Sequence, residues 1–158
     1  ANPACRAALE FKLPATPQQP LLLDGRAHEA MIAADVVLLA SGTATLEALL
    51  AKRAMVVAYR ISSLTYAIVR GFGLMKTDRY SLPNALAGER VVPELMQHDC
   101  TPENLTREIL AWLREPQRVT ALQPRFEAIH RELARDASKN AANAVAEMIL
   151  APRPSASA

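Results

Sequence analysis

The run from Ser41 to Glu47 contains the residues whose types and spacing point most directly to chemistry. It follows the apolar stretch Val36–Ala40, which predicts a buried strand, and Ser41-Gly42 is a tight turn of small residues. We expect a helix next, capped by Ser41 or Thr43 and carrying Glu47 one turn in. The free N–H groups and the dipole of a helix N-terminus favour an anion. The run therefore predicts a phosphate or diphosphate site, and the alternative is an ordinary capped junction with a solvent-facing Glu.

A second candidate is the run Tyr80-Ser81-Leu82-Pro83-Asn84. An Asn that follows Pro between an extended and a helical segment can present its amide to a sugar or a phosphate. The alternative is a turn in which Asn84 caps the next helix.

A third candidate is the apolar segment between Arg60 and Lys76, which Arg70 interrupts. An apolar helix with basic residues at its ends could lie on an anionic bilayer or line an acyl-chain groove. The alternative is a helix buried by packing.

Several other kinds of site find no support. The three histidines, His28, His98 and His130, lack metal-ligand spacing, and there is no Walker lysine loop and no GxGxxG. We therefore expect no metal and no cofactor. A net charge of +2 without a basic cluster argues against nucleic acid as a partner. Cys5 and Cys100 stand far apart and predict free thiols in a reducing compartment.

Predicted short apolar strands alternate with predicted helices in the part of the chain that must position these residues. This alternation predicts a parallel sheet in a βαβ arrangement. We expect strands at 21–23, 36–40 and 55–59, and helices at 4–13, 26–34, 43–52, 62–75 and 90–97. From Thr101 onward the pattern is that of amphipathic helices. The predicted organisation is a truncated Rossmann-like domain at 1–115, C-terminal helices at 116–150 and a disordered tail at 151–158.

Taken together, these runs resemble the C-terminal half of the lipid-A-disaccharide synthases, glycosyltransferases of the two-Rossmann-domain GT-B type. The resemblance extends from about residue 20 to 150 and is strongest at Leu39–Glu47, Met55–Arg60 and Ser81–Gly88. It implies a partial, three-layer Rossmann-like parallel sheet followed by C-terminal amphipathic helices.

The resemblance also implies a reaction. The family transfers 2,3-diacylglucosamine from UDP to 2,3-diacylglucosamine 1-phosphate with inversion, forming a β-1,6 linkage and releasing UDP in lipid A biosynthesis. We expect the catalytic base in an N-terminal domain that this chain lacks, and no catalysis by the chain alone. The implied location is cytoplasmic and peripheral on the inner face of the inner membrane, with a homodimer that exchanges C-terminal helices. The alternatives are half of another two-domain UDP-GlcNAc enzyme and a non-catalytic helical docking module.

Site residues follow from the same resemblance, position by position. Those implied to bind the nucleotide are Ser41, Gly42, Thr43, Thr45, Glu47, Tyr59 and Arg60. Those implied to contact the donor sugar or its phosphates are Ser81, Asn84 and Gln97. Those implied to face the membrane or the acyl chains are Leu64, Ile68, Arg70, Phe72 and Lys76.

Overall fold

The computed structural model describes residue 4 and residues 6–7, 20–62, 65–66 and 79–150. In chain order the elements are α1 Ala27–Ala33, β1 Val36–Leu39, α2 Thr43–Leu50, β2 Ala54–Tyr59, α3 Leu82–Ala87, β3 Glu94–Met96, α4 Pro102–Arg114, α5 Pro116–Leu133 and α6 Ala137–Leu150. A 3-10 turn at Gln97–Asp99 follows β3 directly.

The sheet has three parallel strands in the order β1-β2-β3. Four consecutive residues of the central strand, Ala54 to Val57, are at most 1% exposed. Successive side chains of a strand point to opposite faces, so helices must cover both faces of β2. This confirms the predicted α/β class, a partial Rossmann-like sheet followed by helices.

Three helices close the hydrophobic core around β2. Ala48 and Leu49 of α2 are fully buried, and Phe126 of α5 is fully buried in the same cluster. Trp112 of α4 is buried as well, and its indole Nε1 donates to the carbonyl oxygen of Met55 at 3.1 Å. The indole therefore fills the core while its one polar atom stays satisfied.

The predicted start of α4 is confirmed. The Thr101 hydroxyl accepts a hydrogen bond from the Asn104 N–H at 3.3 Å, and Pro102 occupies the first helical position. Both features are ordinary N-terminal signals, which is why the sequence located this helix well.

Two predicted elements are wrong. Residues 21–23 do not form a strand: Leu21 is 81% exposed, and no strand in the described part of the chain lies beside it to complete a ladder. Residues 90–97 do not form a helix but contain β3. The Asn84 side chain accepts hydrogen bonds from the N–H groups of Val91 and Val92. These bonds hold the chain extended before β3 begins.

Other predictions lie partly or wholly outside the described residues. Most of the helices predicted at 4–13 and 62–75 falls there, and so does the tail at 151–158. The division at residue 116 stays a prediction, although α5 contributes Leu122, Phe126 and Ile129 to the core of the sheet. Among the described helices, none is long and apolar enough to cross a membrane.

Candidate functional site

The candidate site lies where the three parallel strands end. β1, β2 and β3 end at Leu39, Tyr59 and Met96, so the residues after them meet at one edge of the sheet. Ligands of open α/β sheets bind at this carboxyl edge. A cavity of about 280 Å³ opens here and is lined by Ser41, Tyr59, Ile61, Tyr66, Tyr80, Met96 and Gln97.

The turn between β1 and α2 depends on Gly42. Its φ is +146° and its ψ is −165°, a backbone conformation that side-chain-bearing residues rarely adopt. Gly42 is itself the N-cap, and no side chain caps the helix, so the predicted cap at Ser41 or Thr43 is wrong. Thr45 instead bonds back to the Gly42 carbonyl oxygen, through its N–H at 3.1 Å and its hydroxyl at 2.7 Å.

This turn leaves hydrogen-bonding groups open. No residue in the described part of the chain accepts a hydrogen bond from the N–H of Thr43 or Ala44. Thr43 is exposed, and so is Glu47 one turn later, which forms no ion pair with any described residue. Donors at a helix N-terminus can hold an anion, and a carboxylate nearby can accept from hydroxyl groups.

In the second predicted run, Tyr80–Asn84, the polar side chain of Asn84 is bonded within the protein. Asn84 is fully buried in α3. Its Oδ1 accepts from the N–H groups of Val91 at 2.8 Å and Val92 at 2.9 Å, and its Nδ2 donates to the Val92 carbonyl oxygen at 2.9 Å. The amide therefore fixes the chain that leads into β3, and in this structure a ligand has no access to it.

Glu94 is a residue of this region that sequence reasoning missed. Its carboxylate accepts from the Ser81 N–H at 2.7 Å and from the Tyr80 N–H at 3.1–3.2 Å. Ser81 is 1% exposed, and its Oγ has no hydrogen-bond partner among the described residues. The available signal was a lone acidic residue within the apolar stretch Val91–Met96.

Two hydrogen bonds join the two runs directly. The Ser41 hydroxyl donates to the Tyr80 carbonyl oxygen at 2.6 Å. The Leu82 N–H donates to the Thr45 hydroxyl at 3.3 Å, and Thr45 is fully buried. These hydrogen bonds connect the start of α3 to the turn at Gly42, so the two runs form one structural unit.

The remaining predicted residues border this unit. Gln97 is 9% exposed with φ +49°, and its amide pairs with the backbone of Ile61, accepting at 2.7 Å and donating at 3.3 Å. Tyr59 is 39% exposed at the cavity, and Arg60 next to it is exposed. The predicted membrane- or acyl-facing residues, Leu64, Ile68, Arg70, Phe72 and Lys76, lie outside the described residues.

A parallel sheet with helices on both faces and a glycine-dependent strand–turn–helix junction at its carboxyl edge defines a Rossmann-like α/β domain. The family model for lipid-A-disaccharide synthetase matches residues 3–149. The chain therefore belongs to the lipid-A-disaccharide synthetase family.

Its relatives share the family name. A "Lipid-A-disaccharide synthase" from Xanthomonas axonopodis pv. citri (strain 306) is 55% identical over 152 residues, which is 94% of this chain and 35% of the relative. One from Xylella fastidiosa (strain M12) is 56% identical over 128 residues, covering 81% of this chain and 33% of the relative. The chain thus spans about a third of the length of the curated relatives it matches.

Proposed function

We propose that this chain is the UDP-sugar-binding part of a lipid-A-disaccharide synthase. The observation that carries the proposal is the junction after β1, where the open N–H groups of Thr43 and Ala44 lie one turn before the exposed Glu47. The donors suit a diphosphate, and the carboxylate suits the two hydroxyls of a ribose. Membership of the family supports UDP as the nucleotide.

In this proposal the reaction is the transfer of 2,3-diacylglucosamine from UDP to 2,3-diacylglucosamine 1-phosphate. The linkage formed is β-1,6, and a single displacement inverts the anomeric carbon. As the bond to UDP breaks, negative charge grows on the diphosphate, and the N–H groups at the start of α2 stabilise it. The base that deprotonates the acceptor 6-hydroxyl lies outside this chain, so the chain alone forms no disaccharide.

In this proposal the predicted site residues fall into two groups. Within the proposal, Gly42, Thr43 and Glu47 contact the nucleotide, while Tyr59 and Arg60 stand at the edge of the cleft. The buried residues support the cleft and do not contact the nucleotide; they are Thr45, Ser81, Asn84 and Gln97, of which Gln97 also lines the cavity. Ser41 joins the two groups, because it lines the cavity and also bonds to Tyr80.

The substrates of the whole protein are, in this proposal, acylated sugars, and its place of action is the inner face of the inner membrane. The name that the relatives share, lipid-A-disaccharide synthase, supports lipid A precursors as substrates. Exchange of C-terminal helices between two copies is part of the proposal. It is supported by α6, where Val145, Met148 and Ile149 are 55–80% exposed.

Calorimetric titration with UDP tests the proposal. We expect saturable binding to the folded chain, weakened about 10- to 150-fold by Glu47→Ala, since hydrogen bonds to a charged group contribute roughly 1.5–3 kcal/mol. Glu147→Ala is the matched control, because Glu147 is also an exposed helical glutamate and has no partner among the described residues. It should bind UDP as the unmodified chain does.

Three results would contradict the proposal or a part of it. A folded chain that does not bind UDP favours a non-catalytic docking module. Disaccharide formation by the chain alone would show that the base lies within these residues. Equal affinity of the Glu47→Ala variant would remove the ribose contact from the model of the site.

A further inference from the structure

The cavity at the carboxyl edge of the sheet collects all three tyrosines of the chain. Tyr59, Tyr66 and Tyr80 line it together with Ile61 and Met96. The tyrosines come from three separate parts of the sequence, and the fold brings them to one place. Aromatic, branched and thioether side chains give such a cavity walls that are mainly apolar and that adapt to an irregular ligand.

Apart from the tyrosine hydroxyls, the polar side chains of the cavity, Ser41 and Gln97, are engaged within the protein. Both halves of the Gln97 amide pair with the backbone of Ile61. The Ser41 hydroxyl donates its hydrogen bond to the Tyr80 carbonyl oxygen. Recognition of a nucleobase or of a sugar requires several free donors and acceptors, and Gln97 and Ser41 do not supply them. The tyrosine hydroxyls are the remaining polar side-chain groups of a lining that is otherwise apolar.

The cavity also has a defined position relative to the nucleotide site. Ser41 lines it, and Ser41 directly precedes Gly42, where the open N–H groups of α2 begin. A diphosphate held at α2 therefore lies next to the cavity. In the proposed function, the sugar of the donor is the part that we place at the mouth of the cavity.

We propose that the tyrosine cavity, defined by Tyr59, Ile61, Tyr66, Tyr80 and Met96, binds an aliphatic chain of the sugar donor. This inference rests on the proposed function, because it takes the donor to be a lipid-bearing UDP-sugar. The cavity acts as a specificity site: it retains donors with a chain and gives no advantage to a UDP-sugar without one. The binding free energy comes from removing methylene groups from water.

Methyl NMR on the unmodified chain tests the inference with a defined probe. Butyl, hexyl and octyl glucosides are titrated below their critical micelle concentrations, and the methionine methyl signals are followed. We expect Met96 to shift while the buried Met55 and the exposed Met148 do not. Affinity should rise about fourfold per methylene until the cavity is full, the factor that corresponds to about 0.8 kcal/mol for each buried group.

A pair of isoleucine variants locates the binding. Ile61→Glu places a charge at the cavity, and we expect it to abolish the response of Met96 to octyl glucoside. Ile32→Glu is the matched control, since Ile32 is 46% exposed on α1 and does not line the cavity. It should leave the response unchanged. If Ile61→Glu does not fold, the methyl titration of the unmodified chain tests by itself whether the tyrosine cavity binds an aliphatic chain.

The two proposals fail in different ways. If UDP binds but Met96 does not respond to any glucoside, the aliphatic site is refuted and the nucleotide site stands. If Met96 responds without dependence on chain length, the cavity binds sugar, and the inference is overturned. If the glucosides bind with the expected dependence but UDP does not bind, the aliphatic site stands and the proposed function fails.

Discussion

The two runs that looked most like binding motifs, Ser41–Glu47 and Tyr80–Asn84, use their polar groups in opposite ways. In the first, backbone N–H groups of Thr43 and Ala44 and the carboxylate of Glu47 have no partner among the described residues. In the second, the Asn84 amide makes three hydrogen bonds to backbone groups of Val91 and Val92. The first run therefore leaves hydrogen-bonding groups available to a ligand, whereas the second uses its amide to hold the backbone that leads into β3.

The difference shows that residue type does not by itself separate a ligand contact from a support. Both runs contain small polar residues at the start of a short helix, and both were compatible with phosphate binding. What separates them is whether hydrogen-bonding capacity is left over after folding, since buried polar groups are almost always satisfied. The supporting run still matters for binding, because Ser41 and Thr45 bond to it.

The largest effect should come from Asn84→Ala. The change leaves the buried N–H and carbonyl groups of Val92 and the partly buried N–H group of Val91 without their partners. Because each unsatisfied buried group costs about 1–3 kcal/mol, we expect the free energy of unfolding to fall by about 4 kcal/mol or more. Urea denaturation followed by circular dichroism measures it.

Asn143→Ala on α6 is the control, because Asn143 is exposed and should change stability by no more than about 0.5 kcal/mol. If Asn84→Ala kept full stability but lost affinity for UDP, the assignment of Asn84 as a support would be wrong.

A smaller loss of stability is expected from Glu94→Ala. The change removes the acceptor of the Tyr80 and Ser81 N–H groups, which are only partly buried, so water can replace part of the interaction. We expect a loss of about 2 kcal/mol, within the range for hydrogen bonds to a charged group. Glu94→Gln keeps an acceptor and should recover about half of it. Amide NMR shifts confined to Tyr80, Ser81 and their neighbours would confirm the role, and unchanged shifts there would refute it.

The sequence predicted the parts of this fold that rest on local signals. The strand–turn–helix junction after β1 was found from its turn and its periodicity, although its cap was predicted wrongly, and the start of α4 was found from its Thr101-Pro102 cap. Residues 21–23 and 90–97 were assigned wrongly because their state depends on tertiary partners. Residues 21–23 have no neighbouring strand in the described part of the chain, whereas 94–96 pair with β2 and the Asn84 side chain holds Val91 and Val92.

The same limit explains the late helices. The periodicity of α5 and α6 predicts an apolar stripe on each, and local sequence cannot say what the stripe contacts. Phe126 of α5 is fully buried, whereas Met148 of α6 is 80% exposed. The tyrosine cavity was missed for a related reason, since Tyr59, Tyr66 and Tyr80 meet only through the tertiary fold.

The smallest effect on stability, and the sharpest separation of the two runs, should come from a pair of glycine variants. Gly42→Ala and Gly88→Ala both place a side chain at positive φ, +146° and +70°, and neither new Cβ meets an atom within 4 Å. Each therefore suffers backbone strain without a clash, and we expect each to lose about 1–2 kcal/mol in urea denaturation.

Their effects on UDP affinity should differ. Relaxing the strain at Gly42 rotates the peptide that leads into the Thr43 and Ala44 N–H groups, so the donors no longer converge on the diphosphate. Gly88 ends α3, the helix that begins within the supporting run. The same relaxation there moves only the C-terminal end of that helix. Titration with UDP should show weaker binding for Gly42→Ala and unchanged binding for Gly88→Ala. Equal losses in both variants would mean that affinity follows overall stability, and the distinction between a binding run and a supporting run would then fail.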